Sequence, residues 1–130
     1  MPLDSYFKKR YNSFKFAIKG INSAVRSEPH MRLHILAAIG VILLGIIFRV
    51  TKVEWCLLAG SIGLVITAEI FNTSIETLTN LVSPQHNPLA GKTKDLAAAA
   101  VLVAAITAAI VGLIIFVPYV QDLINTYQTD

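Results

Sequence analysis

Three stretches of the chain carry no Asp, Glu, Lys or Arg: residues 33–48, 55–68 and 96–121. Crossing a bilayer core takes ~20 apolar residues rising ~1.5 Å each. The third stretch meets that length alone. The first is shorter, and Met31 with the aliphatic stems of Arg32 and Arg49 extends it, because such stems run along lipid while their heads reach water. The second stretch stops at Glu69, yet Ile70, Phe71, Ile75 and Leu78 continue the apolar pattern on other faces. The pattern therefore predicts spanning helices over about 30–49, 53–82 and 92–120, the middle one leaving the bilayer in its second half.

Residues 5–27 read differently. Phe7, Tyr11, Phe14, Ile18, Ile21 and Val25 recur at spacings of four and three, which is one face of a helix. Lys8, Lys9, Arg10, Lys15, Lys19 and Arg26 mostly take the other faces. A basic amphipathic helix of this kind lies in the membrane interface. The expected fold is an all-α integral membrane protein: an N-terminal interfacial helix plus three transmembrane helices, in a single domain over residues 1–130. The alanines at 97–100, 104, 105, 108 and 109 are small enough to let helix backbones approach closely in lipid.

Composition narrows the class further. Hydrophobic residues make up 55% of the chain and charged ones 15%, against ~25% charged in soluble domains. That excludes disorder and leaves no room for a large soluble enzyme domain. A single cysteine, Cys56, excludes a disulfide framework. The first apolar run begins at residue 33 with no small-residue cleavage pattern after it, so no secretory signal is expected.

The net charge of +3 is unevenly placed. Residues 1–32 and 83–95 together hold nine of the eleven Lys and Arg, and residues 49–54 hold Arg49 and Lys52. Basic residues stay on the cytoplasmic side, so the N-terminus and the 83–95 connection are expected there, with the 49–54 turn and the tail outside. The charge reads as a topology signal and not as a nucleic-acid surface.

Glu69, Asn72, Thr73, Glu76 and Asn80 share an arc of ~100° on the second span. Carboxylates at a lipid boundary are expensive and mark function. Glu69 and Glu76 lie ~10.5 Å apart along a helix axis, too far to share one proton. Separate duties follow. The acid nearer lipid suits proton removal from a lipid hydroxyl, and the one nearer water suits a hard divalent cation, with Asn72 orienting either. Mg²⁺ held by two carboxylates and substrate phosphates would suit Glu28, Glu76 and Lys94 if the fold brings them together. Asp95 also fits simple stabilisation of a helix N-terminus.

Gly91-Lys92-Thr93 is not a phosphate-binding loop, because His86 stands where that motif needs glycine. Asn72-Thr73-Ser74 is a glycosylation pattern on the wrong side of the membrane. His30, His34 and His86 lack convincing metal-ligand spacing, and structural roles are expected for them.

The run Glu69-Ile-Phe-Asn72-Thr73-Ser-Ile-Glu76, followed by Lys94-Asp95-Leu-Ala-Ala-Ala-Ala, resembles the prokaryotic diacylglycerol kinase and undecaprenol kinase family. The segment from Phe14 to Gly20, with Ser27-Glu28 and Arg32, resembles its front end. The resemblance implies a homotrimer in the bacterial cytoplasmic membrane, with active sites between subunits. It implies transfer of the ATP γ-phosphoryl group to a lipid alcohol, with Mg²⁺. It makes Glu69 the catalytic base facing the lipid, Asn72 a positioning group, Glu28 and Glu76 metal ligands, and Lys94 and Asp95 nucleotide contacts. Lys9, Arg10, Phe16, Gln85, His86 and Asn87 match nucleotide-contacting segments, as do Glu28 and Glu76. Asn80 stands where the family is expected to carry an acid, and His86-Asn87-Pro88 departs from the expected loop. Asn72-Thr73 with Leu96-Ala97-Ala98 leans toward the undecaprenol branch. The alternative expectation is a small proton-coupled transporter using Glu69 or Glu76. A third is a lipid-sensing adaptor, which leaves the polar stripe unexplained.

Overall fold

The computed structural model describes residues 3–128, with side chains from residue 6 onward. The chain forms four helices, α1 (Leu3–Ser27), α2 (Pro29–Phe48), α3 (Lys52–Val82) and α4 (Pro88–Gln128), with no strand among the described residues. The last three are long and apolar enough to cross a membrane. At ~1.5 Å per residue α3 is ~46 Å long, well beyond a ~30 Å hydrocarbon core, so one end stands in the interface or water. The polar stripe occupies such an end. α4 starts earlier and ends later than 92–120, because its helix continues over polar residues past Gln121 that hydropathy does not count as span.

Each junction has a local cause. Pro29 opens α2 at a position where no backbone N–H is needed. Glu28 before it is extended, at φ −107° and ψ 114°, as a residue preceding proline must be. Arg32 then reaches back. Its Nε donates to the Val25 carbonyl at 3.1 Å and its Nη2 to the Arg26 carbonyl at 2.9 Å. These carbonyls in the last turn of α1 need external donors, so Arg32 acts as a cap as well as a flank of the span.

The α2–α3 turn is tighter. Arg49 takes the left-handed conformation, φ 53° and ψ 47°, and the Val50 N–H closes onto the Gly45 carbonyl at 3.1 Å. Thr51 caps α3 in a reciprocal box with Glu54. The same Glu54 Oε2 accepts from the Tyr119 hydroxyl at 2.9 Å, which ties α4 to this corner. The benzo edge of Trp55 comes so close to Gly45 that an added Cβ would sit 2.7 Å from its ring. Val50, Leu58, Ile115 and Phe116 form the core above it, packed by Val41, Phe48, Trp55, Val111 and Tyr119.

At the opposite end Asn87 Oδ1 accepts from the Leu89 N–H at 2.9 Å and so caps α4, with Pro88 as the first helical residue. Between the ends, Ala97 and Ala104 are the buried small residues of α4. Ala98, Ala99, Ala100 and Ala109 are exposed, so only part of the alanine set serves contacts within this chain. Most large apolar side chains face outward, Leu36, Ile47 and Leu113 among them. A soluble surface does not tolerate that much contiguous apolar area, whereas lipid or a neighbouring subunit covers it.

Candidate active site

Burial falls steadily along the stripe of α3. Glu69 is 3% exposed and Asn72 9%, Thr73 and Glu76 are half-buried, and Asn80 is exposed. The stripe therefore dives from water into the bundle, with its first carboxylate at the deepest point.

Glu69 is met from α2. His34 Nε2 lies 3.2 Å from Glu69 Oε1. One turn along, Asn72 Nδ2 donates to Glu76 Oε1 at 3.3 Å, so the amide bridges toward the second carboxylate. Asn72 Oδ1 is buried with no hydrogen-bond partner. A buried acceptor left open costs ~1–3 kcal/mol, so this atom calls for a donor hydroxyl or a cation. The neighbouring hydroxyls do not supply it. Thr73, Ser74, Thr77 and Thr79 each donate to the carbonyl four residues back. That habit lets one helix carry many hydroxyls without leaving them unpaired. The reactive groups of the stripe reduce to Glu69, Asn72 and Glu76.

Other expected residues separate into those joined to this end and those apart from it. Lys94 Nζ donates to Asn80 Oδ1 at 2.6 Å, linking the foot of α4 to the foot of α3. Asn80 thus holds Lys94 through a neutral oxygen, where an acid would have formed an ion pair. Asp95 is exposed beside it. Glu28 is half-buried at the α1–α2 break and makes no side-chain capping bond. No hydrogen bond or ion pair joins it to Glu76, and the described residues contain no cluster of three acidic, histidine or cysteine ligands. On α1, the Arg10 guanidinium is held on the Tyr6 hydroxyl and ring, and Lys19 Nζ lies 6.0 Å from the Phe16 ring centroid. Lys9 is exposed, as are Gln85 and His86 in the α3–α4 connection. Asn87 has its side-chain oxygen committed to the α4 cap.

Of two hollows nearby, the smaller borders the stripe at Thr73 and the larger meets its deep end only through His34. A groove of about 670 Å³ runs between α2, α3 and α4, lined by apolar residues such as Leu33, Val41, Val65, Ala108 and Phe116. His34 is the one titratable side chain in its lining. A smaller cleft of about 430 Å³ lies between Gly20, Ser23 and Ala24 of α1 and Thr73, Ser74 and Thr77 of α3.

His34 was not among the functional residues read from sequence. The clue was present, because a titratable side chain inside an otherwise uncharged span is itself unusual. Its partner could not be read, since that depends on how α2 is rotated against α3.

Fold and site together define a multi-pass membrane protein with two separated carboxylates at one end of its spans. A family model described as prokaryotic diacylglycerol kinase matches residues 15–116. The chain is 37% identical over 116 residues to the undecaprenol kinase of Bacillus subtilis, covering 89% of this chain and 91% of that protein. It is 33% identical over 112 residues to a diacylglycerol kinase of Synechocystis, covering 85% of this chain and 64% of that protein. It is 30% identical over 95 residues to the diacylglycerol kinase of Escherichia coli, covering 73% of this chain and 78% of that protein. The chain belongs to the prokaryotic diacylglycerol kinase family. The transporter expectation finds no support in these relatives.

Proposed function

We propose that this protein transfers the γ-phosphoryl group of ATP to the hydroxyl of a membrane lipid alcohol, at the cytoplasmic boundary of a bacterial membrane. Its family membership supports the reaction class. The observation that carries the residue-level reading is the buried Glu69 carboxylate, whose His34 partner also lines an apolar groove. A long-chain alcohol lying in that groove brings its hydroxyl to the polar end.

Glu69 takes the hydroxyl proton there. The alcohol oxygen bonds to the γ-phosphorus, and the bond from phosphorus to the departing ADP oxygen breaks. Such transfers need positioning and charge neutralisation more than covalent chemistry. Asn72 positions, through its open Oδ1 and its bond to Glu76. Lys94, tethered by neutral Asn80, keeps its whole charge for a phosphate. Lys9, Arg10, Phe16, Asp95 and the connection at Gln85, His86 and Asn87 line the approach of the nucleotide.

Carboxylate and amide oxygens form a hard donor set, which suits Mg²⁺. Glu76 and Glu28 are the residues that would hold it. When bound it supplies charge neutralisation on the phosphate oxygens. Mg²⁺ sites use one or two carboxylates with substrate phosphates, so a three-ligand protein cluster is not required.

Undecaprenol is the favoured acceptor, in line with the relative that matches along most of both chains. The outward apolar faces suit a homotrimer, and the basic N-terminal side suits the cytoplasm. The test is a paired acceptor assay in mixed micelles with labelled ATP and Mg²⁺. Undecaprenol and diacylglycerol are offered separately, with Glu69→Gln as control. Label is expected in undecaprenol and lost in the variant. Label in neither lipid, from correctly inserted protein, overturns the kinase reading.

A further inference from the structure

The His34–Glu69 contact crosses between two helices at the deepest point of the polar stripe. Glu69 sits almost wholly out of solvent on α3, while the His34 side chain on α2 keeps 22% of its surface exposed. The groups around the pair are few. From α2, Arg32 is turned away onto the Val25 and Arg26 carbonyls. From α4, the groove presents Ala105, Ala108 and Ala109. The groove lining holds no charged residue on α3 either, with Ser61, Ile62, Val65 and Ile66 there. Among the described residues, the imidazole is the one side chain that makes a polar contact with the Glu69 carboxylate.

We infer that His34 is a positioning residue for phosphoryl transfer, acting through Glu69. Its Nε2–H donates to Oε1 and fixes the rotamer of the carboxylate. Oε2 is then the oxygen that takes the proton from the acceptor hydroxyl. Because His34 is also part of the groove wall, the same ring sets the carboxylate against the point where the acceptor chain ends. With no such hold the orientation of the carboxylate is left to packing alone, and misplacement of a reacting group by about 1 Å costs rates of order 10²-fold. The inference rests on Glu69 being the proton acceptor.

Three substitutions separate the possibilities. His34→Leu keeps the groove wall and removes the donor. His34→Gln keeps an N–H that reaches the carboxylate. His34→Asn is polar but too short to reach it. With the full-length protein in micelles, His34→Leu and His34→Asn are expected to lower kcat by about 10- to 100-fold with the KM for ATP unchanged. His34→Gln is expected to recover most of that loss. In a Glu69→Gln background, the residual rate is expected to stay the same when His34→Leu is added, because the two residues act as one unit. The inference is overturned if His34→Leu retains full kcat, if the Gln and Asn variants behave alike, or if the Leu effect multiplies that of Glu69→Gln. A full rate in Glu69→Gln alone overturns the proton-acceptor assignment, and this inference with it. A dead Glu69→Gln beside a fully active His34→Leu overturns this inference only.

Discussion

Asn80 shows how one neutral side chain can set the charge available to a site. Its Oδ1 holds Lys94 Nζ at 2.6 Å without neutralising it. Asn80→Asp would convert the tether into an ion pair. The pair is exposed, so the added attraction is ~1 kcal/mol or less. Even so, phosphate must then compete with a fixed carboxylate for the same ammonium. We expect the KM for ATP to rise about threefold to fivefold with little change in kcat, measured by initial rates at saturating lipid. An unchanged KM would remove Lys94 from the nucleotide path. Asn72 gives a second test at this scale. Asn72→Ala removes both the open Oδ1 and the donor on Glu76. Losing a positioned donor or acceptor costs ~1–3 kcal/mol, so kcat/KM should fall about 10- to 100-fold while the folded fraction in micelles is kept. The carboxylates and Asn72 were legible in the sequence because helical periodicity alone aligns them. Their depth was not, because burial depends on neighbours that periodicity does not name. His34 is the clearest case, since its value comes entirely from facing Glu69.

Helices were the most legible part of the chain, because three uncharged runs and one amphipathic repeat cannot be satisfied otherwise. The ends were less so. Arg32 reads as a flank of a span, yet it also closes the last turn of the preceding helix. Asn87 reads as part of a binding loop, yet its side chain starts α4. In both cases a backbone group needing a partner recruited a side chain that the hydropathy pattern had labelled otherwise. Gly45 carries the sharpest prediction for an element. Its missing Cβ makes room for Trp55, whose Cη2 and Cζ2 would lie 2.7 and 2.9 Å from it. An indole is rigid and cannot yield at its far edge without moving the ring. Gly45→Ala should therefore destabilise the α2–α3 corner by ~1–3 kcal/mol, seen as a lower midpoint of thermal unfolding in micelles. Adding Trp55→Leu should recover part of that loss. A Gly45→Ala protein that melts like the parent would show that the corner has slack.

For the whole molecule, packing and charge divide the two ends between them. The aromatic core and the Thr51, Glu54 and Tyr119 knot gather at one end, and the carboxylates, Lys94 and the basic helix gather at the other. Such a division suits the proposed transfer, in which the nucleotide stays in water and the acceptor stays in lipid. Orientation follows from the same asymmetry. On the proposed reaction the end with the reactive stripe faces the compartment that holds ATP, and the excess of Lys and Arg is expected to put that same end in the cytoplasm. A Cys56→Ser background makes this measurable with single new cysteines. In intact cells a membrane-impermeant maleimide should label Lys52→Cys, at the end with the aromatic core, and should label Gln85→Cys only after lysis. The reverse pattern would put the carboxylates outside, away from ATP, and no assignment of kinase residues to Glu69 and Glu76 would survive it.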